Sequence, residues 1–138
     1  MSRTLVAYFS ITGVTENVAV RLARAIGADL FEVQPVQNAG DKDRGAISFE
    51  HKNISHYDRI FVGLPIWWYA APTVIHTFLS DYDLTGKTVI PFVTSGGGGL
   101  DKVRPRLLDS CPGADLREAT LLLDDMSEYS LRSWADEF

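Results

Sequence analysis

Ser10-Ile11-Thr12-Gly13-Val14-Thr15 follows an apolar run, Leu5 to Phe9, and opens a segment of helical pattern that begins at Val14. Hydroxyls and free amides therefore sit where a strand hands over to a helix. A phosphate placed there meets unpaired N–H groups and the positive end of the helix dipole. Ser10, Thr12 and Thr15 add hydroxyl donors, and Gly13 permits a tight backbone approach. Hydrogen bonds to a charged group contribute about 1.5–3 kcal/mol each, so three or four hold a dianion without a cation. Taken singly, Thr15 reads as an N-cap and Gly13 as a turn residue. The complete pattern at a strand–helix junction is what points to phosphate. It carries no lysine, which argues against a nucleotide-triphosphate enzyme and for a cofactor held by one terminal phosphate.

Outward from this junction, short β-rich runs alternate with helical patterns. Leu5–Phe9, Leu30–Val36, Arg59–Leu64, Thr88–Thr94 and Ala119–Leu123 read as strands. Several are apolar at nearly every position, as parallel strands covered on both faces are. Val14, Val18, Leu22 and Ile26 recur at helical spacing beside Ala19 and Ala23, and Gly27 ends that helix as a left-handed cap. A second helix is expected from Pro72, with Val74, Ile75, Phe78 and Leu79 inward. A third runs from about Asp101 to Asp109 with Val103 and Leu107 inward, and a fourth, loosely docked, covers Ser127 to Phe138. Residues Gln37 to Tyr57 are polar and glycine-dotted and give no element assignment. The alternation predicts an α/β fold, a parallel sheet with right-handed crossovers and helices on both faces.

Ligands of such sheets bind beyond the carboxyl ends of the strands, where the strand order reverses. Three of those loops are unusual, and in the order 2-1-3-4-5 their strands are adjacent. The first is Ser10–Thr15. The second is Pro65-Ile66-Trp67-Trp68-Tyr69-Ala70-Ala71-Pro72, three large aromatics between two prolines. Such rings stack on a planar heterocycle with about 0.5–1.5 kcal/mol each beyond area burial. Aromatics are more often core, but core packing does not explain three of them in a loop. The third is Thr94-Ser95-Gly96-Gly97-Gly98-Gly99. Glycine loses the most conformational freedom on folding, so four in a row need a reason: a mobile linker or, as the place after a buried strand and before a helix favours, a backbone passing close to something flat.

The 138 residues suffice for one domain, 1–138, burying about 68–70% of the surface of the unfolded chain. Thirteen basic against eighteen acidic side chains leave a net charge of −5, the wrong sign for a nucleic-acid binder. Cys111 is the one cysteine, so an internal disulfide is excluded and a reducing, cytoplasmic location is expected. No signal-peptide layout precedes the first strand. The charge-free stretch Ile60 to Ser80 is broken by Gly63, Pro65 and Pro72, against a membrane span.

These features resemble the flavodoxin family, whose phosphate loop reads Ser/Thr-x-Thr-Gly-x-Thr. Ser10, Thr12, Gly13 and Thr15 match every fixed position. Tyr57-Asp58-Arg59-Ile60-Phe61-Val62-Gly63-Leu64-Pro65-Ile66-Trp67-Trp68 is similar to a branch of short flavodoxin-like proteins with a Pro-Ile-Trp-Trp loop. Gly86-Lys87 and Pro91-Phe92-Val93-Thr94-Ser95-Gly96-Gly97 also fit that branch. The likeness covers nearly the whole chain except Gln37 to His56, and Tyr69-Ala70 replaces a turn that often contains glycine. The resemblance implies a three-layer fold, a five-stranded parallel sheet in the order 2-1-3-4-5, with FMN at the switch point as in flavodoxin itself. It further implies that Ser10, Ile11, Thr12, Gly13, Val14 and Thr15 hold the FMN phosphate. Pro65, Ile66, Trp67, Trp68 and Tyr69, with Thr94, Ser95, Gly96 and Gly97, would flank the ribityl chain and ring.

The function expected is an FMN electron carrier serving a transient redox partner protein, with no catalytic side chain and no metal. The alternative is an NAD(P)H-dependent quinone or nitro-compound reductase on the same FMN site, although such enzymes are usually longer. A flavin-free binding module is the third reading. Cys111 and Arg117 have the Cys-x5-Arg spacing of a phosphatase loop, but Cys111-Pro112-Gly113 closes a helix instead of opening one. A response-regulator receiver needs acidic residues where Ser10 and Leu64-Pro65 stand. His51, His56 and His76 share no metal-ligand spacing, and Asp124-Asp125 reads as a solvated turn ahead of a metal pair.

Overall fold

The computed structural model describes residues 3–10, 13–33, 57–65, 73–80, 82–94 and 100–138. Strand β1 (Thr4–Tyr8) leads to helix α1 (Val14–Ile26) and strand β2 (Asp29–Glu32). Then follow β3 (Arg59–Leu64), α2 (Thr73–Ser80) and β4 (Thr88–Val93). The last part holds α3 (Val103–Leu107), β5 (Asp115–Leu116), β6 (Thr120–Leu121) and α4 (Glu128–Ala135). The sheet is parallel in the order β2-β1-β3-β4-β5, with β6 also paired to β4. This is the expected 2-1-3-4-5 arrangement.

The central strands are apolar throughout because both faces are covered. Alternate residues go to opposite layers. Leu5, Ala7, Ile60, Val62, Leu64, Val89 and Val93 pack with Ile75, Phe78 and Leu79 of α2 and Val103 and Leu107 of α3. Val6, Tyr8, Phe61, Ile90 and Phe92 pack with Val18, Ala19 and Leu22 of α1 and Leu131 and Ala135 of α4. The side chain of Val74, also expected inward, lies outside the described residues.

Strand β2 is Asp29–Glu32 where Leu30–Val36 was expected, with residues 34–36 outside the described residues, and four further details differ from expectation. The inward stripe of α1 is Thr15, Val18, Ala19, Leu22 and Ala23, and Val14 is 37% exposed. Residues four apart drift by about 40° around a helix, which carries Val14 and Ile26 to the stripe's edges and brings Thr15 in. Helix α3 is short, with 3-10 turns at Leu100–Lys102 and Leu108–Ser110. Pro105 lacks the N–H that would reach back to residue 101, so the entry turn stays tight.

The fifth strand position begins at Asp115, ahead of the expected Ala119. It is interrupted between Leu116, opposite Val89, and Thr120, opposite Phe92. Four steps on one side face three on the other, a bulge, and Pro91 in the facing stretch has no N–H to share. Helix α4 is firmly docked. Leu131 and Ala135 are fully buried, and Trp134 packs its ring on Phe61, Phe92 and Phe138. Arg59 adds bonds from its guanidinium to the carbonyls of Ala135 and Phe138, at 3.1 and 2.9 Å.

Candidate functional site

Three adjacent strands end almost level. Tyr8 pairs with Gly63, Gly63 with Phe92, and Leu64 with Val93. The chain leaving β1, β3 and β4 therefore emerges along one edge, which is what adjacency of the three loops required.

At the first exit, the Gly13 amide donates to Ser10 Oγ at 3.0 Å and closes a tight turn. Ser10 thus acts as an acceptor while its own hydroxyl proton stays available to donate. Gly13 occupies the N-cap position of α1 with φ +95 and ψ −8, a left-handed conformation that side chains disfavour. Among the described residues no side chain caps this helix, whereas Ser127 Oγ caps α4 by accepting from the Ser130 amide. The first bond within α1 runs from Asn17 N–H to Gly13 C=O at 3.0 Å. The Val14, Thr15 and Glu16 amides lie at the positive end of a 13-residue helix without a side-chain acceptor among the described residues. Val14 is the first helical residue and Thr15 is 3% exposed. Ile11 and Thr12 lie outside the described residues.

At the second exit Pro65 follows β3, half-buried; Ile66, Trp67, Trp68 and Tyr69 lie outside the described residues. At the third, Thr94 follows β4 and Ser95, Gly96 and Gly97 lie outside them. Thr94 is nonetheless tied to the first exit: Thr15 Oγ1 and Thr94 Oγ1 are 2.7 Å apart.

Sequence reasoning missed this pair and also missed Gly63. A β-carbon at Gly63 would meet Phe92 Cζ at 2.5 Å and Thr15 Cγ2 at 3.1 Å. The bare backbone of β3 is what lets α1 approach the sheet at the loop edge. The signal was present, since glycine in an otherwise apolar strand marks close backbone approach.

Two carboxylates and one guanidinium stand beside the head of α1. Glu16 accepts from the Tyr8 phenol at 3.3 Å. Burial, then Glu32 and Glu16, push the Tyr8 phenol up to about 12. Asp124 accepts from Asn17 Nδ2 at 2.6 Å, and its carbonyl accepts from Arg21. The Asp124-Asp125 pair forms a turn latched to α1, and no cluster of three metal-ligating side chains occurs among the described residues. Cys111 is buried with its thiol directed at the Leu107 carbonyl, 3.4 Å away, and burial pushes its pKa up. It follows the turn that ends α3, so it lacks the placement and the acidity of a phosphatase nucleophile. His76 Nδ1 meets Ser110 Oγ at 2.8 Å, and burial lowers its pKa.

A fold with this strand order and a phosphate-type turn after β1 is a flavodoxin-like fold, and the family profile described as flavodoxin matches residues 3–43 and 36–138. The chain belongs to the flavodoxin family. A flavodoxin from Haemophilus influenzae is 28% identical over 86 residues, spanning 59% of this chain and 44% of that protein. A candidate flavoprotein from Bacteroides eggerthii is 36% identical, with a TM-score of 0.83 over 99% of this chain and 98% of that one. A flavoprotein from Lactobacillus acidophilus, solved in complex with FMN, superposes with a TM-score of 0.74 at 22% identity, covering 98% of this chain and 99% of that one. Among the described residues, no helix is long and apolar enough to cross a membrane.

Proposed function

We propose that this chain is a small FMN-binding electron carrier, a single domain of the short flavodoxin-like branch with the Pro-Ile-Trp-Trp loop. The observation that carries the reading is the N-terminus of α1, uncapped among the described residues, with the Ser10 and Thr15 hydroxyls beside it at the edge where β1, β3 and β4 end. The residues present fit the phosphate end of FMN. Hydroxyls and amides are offered without a cation, the left-handed Gly13 has nothing within 4 Å of a would-be β-carbon, and Gly63 keeps the approach open. The FMN complex of the Lactobacillus acidophilus relative supports the choice of cofactor.

Ser10, Ile11, Thr12, Gly13, Val14 and Thr15 are assigned to bind the phosphate through amides and hydroxyls. Pro65, Ile66, Trp67, Trp68 and Tyr69, with Thr94, Ser95, Gly96 and Gly97, are assigned to orient the ring and exclude water from it. When bound, FMN supplies the redox chemistry, taking up and releasing one or two electrons. The protein's share is binding, shielding and a negative field from Glu16, Asp101, Asp124 and Asp125. The single cysteine, free and buried, suits a reducing, cytoplasmic location, and a carrier there would serve a redox partner protein transiently.

Thr12→Val tests the assignment. It should weaken FMN by about tenfold or more through one lost bond to a charged group and leave riboflavin, which has no phosphate, nearly unaffected. Equal losses for both flavins would refute the phosphate loop. Rapid NAD(P)H oxidation by the pure protein with added quinone would move the assignment from carrier to reductase.

A further inference from the structure

We propose that Thr94 is a positioning residue for the phosphate end of the flavin, acting through Thr15 and not only as a wall beside the ring. The inference rests on the FMN reading above and concerns how two of its loops are joined. Thr15 and Thr94 are 79 residues apart in the chain, yet their hydroxyl oxygens stand 2.7 Å from one another. Each hydroxyl carries one proton and two lone pairs, so within the pair one proton is used and the other must go elsewhere.

Thr15 is the second residue of α1 and 3% exposed, with its methyl group directed at Gly63. The Gly63 contact orients the side chain so that its hydroxyl meets Thr94, and its place in the first turn of α1 sets that hydroxyl within the proposed phosphate loop. An anion there has no proton to give and accepts from Thr15. The Thr15 proton is then committed, and the pair bond survives only if Thr94 is the donor. A ligand phosphate thereby sets the direction of both bonds, and hydrogen bonds in such a chain strengthen one another. Thr94 stands at the start of the glycine loop assigned to the ring, so the phosphate end and the ring end share one bond.

The test titrates FMN and riboflavin, by quenching of flavin fluorescence, into the wild type, Thr94→Val, Thr94→Ser, Thr15→Val and the double valine variant. Thr94→Val should lower the ratio of FMN to riboflavin affinity about fivefold to tenfold, and Thr94→Ser should restore it. The double variant should lose no more of that ratio than Thr15→Val alone, because the two hydroxyls act in series. Thr94→Ala reads the same ratio if Thr94→Val folds poorly. A Thr94→Val protein that binds both flavins less tightly by the same factor would overturn the relay, as would fully additive losses in the double variant. A wild type that binds neither flavin would overturn the FMN reading and the relay together. A clear FMN preference indifferent to Thr94 would overturn the relay alone.

Discussion

Gly63 and Gly13 stand on the same edge and make opposite demands. At Gly63 the conformation is ordinary strand, but an added methyl would lie 2.5 Å from the ring of Phe92. Phe92 is fully buried and held against Trp134, so it has nowhere to move. Gly63→Ala should destabilise the protein by about 1–3 kcal/mol, as overpacking does. At Gly13 the space is empty and the φ of +95 is the obstacle; Gly13→Ala should cost about 1–2 kcal/mol through backbone strain alone. Urea unfolding separates the two, because Gly13→Asn should recover part of the loss and Gly63→Ser should recover none. The candidate phosphate loop could be proposed from the sequence because its chemistry is local: six consecutive residues at one strand–helix junction. The Thr15–Thr94 bond was not, because only the sheet order brings residues 15 and 94 together.

Two phenols carry a pH signature at the same scale. Tyr8 and Tyr57 are both held near pKa 12 against a normal value of 10.0, in each case chiefly by burial. Between these values the unfolded chain releases protons that the folded chain retains, so stability falls as pH rises. Their contribution should be complete below pH 10 and lost through the window up to about 12. Unfolding followed by tyrosinate absorbance should show that loss, and Tyr8→Phe should flatten part of it. An alkaline limb unchanged by Tyr8→Phe would remove Tyr8 from this account.

Among the elements, β3 and α1 were readable to the residue. Arg59–Leu64 is a short apolar run, and α1 carries a left-handed glycine at each end, Gly13 and Gly27. The split fifth position was not readable, because the break depends on Pro91 in the neighbouring strand. The docking of α4 escaped for a similar reason: its amphipathic pattern is modest, and what fixes it are rings and carbonyl bonds from β3 and β4. Leu131→Ala should therefore cost about 2–5 kcal/mol, the range for emptying a buried leucine site. A loss below 1 kcal/mol, which surface positions give, would return α4 to a loosely held tail. His76 links α2 to the turn after α3 through Ser110. Its pKa is lowered from 6.5 by burial, so the unfolded chain takes up the proton first. Stability should fall as pH drops below 6.5, and His76→Gln should remove that part of the acid slope.

Over the whole molecule the net charge is −5, Glu16 and Asp124 stand beside the head of α1, and the proposed site adds Asp101 and Asp125 to its rim, with Lys102 and Arg104 partly offsetting them. Negative charge there opposes the added negative charge of reduced flavin, so the bound flavin's potential should lie below that of free FMN. Higher salt should move it back toward the free value, because exposed charges are screened beyond about 10 Å at 0.1 M. A potential well above free FMN would contradict the field argument while leaving the binding site intact. The central claim is narrower: an uncharged cradle at the head of α1 holds the flavin by its phosphate. The most direct measurement mixes the protein with FMN or with riboflavin, removes free flavin by gel filtration, and reads visible absorbance in the protein fraction. The account predicts yellow protein with about one flavin per chain from the FMN mixture and far less from riboflavin. Colourless protein from both, or equal retention of the two, would contradict it.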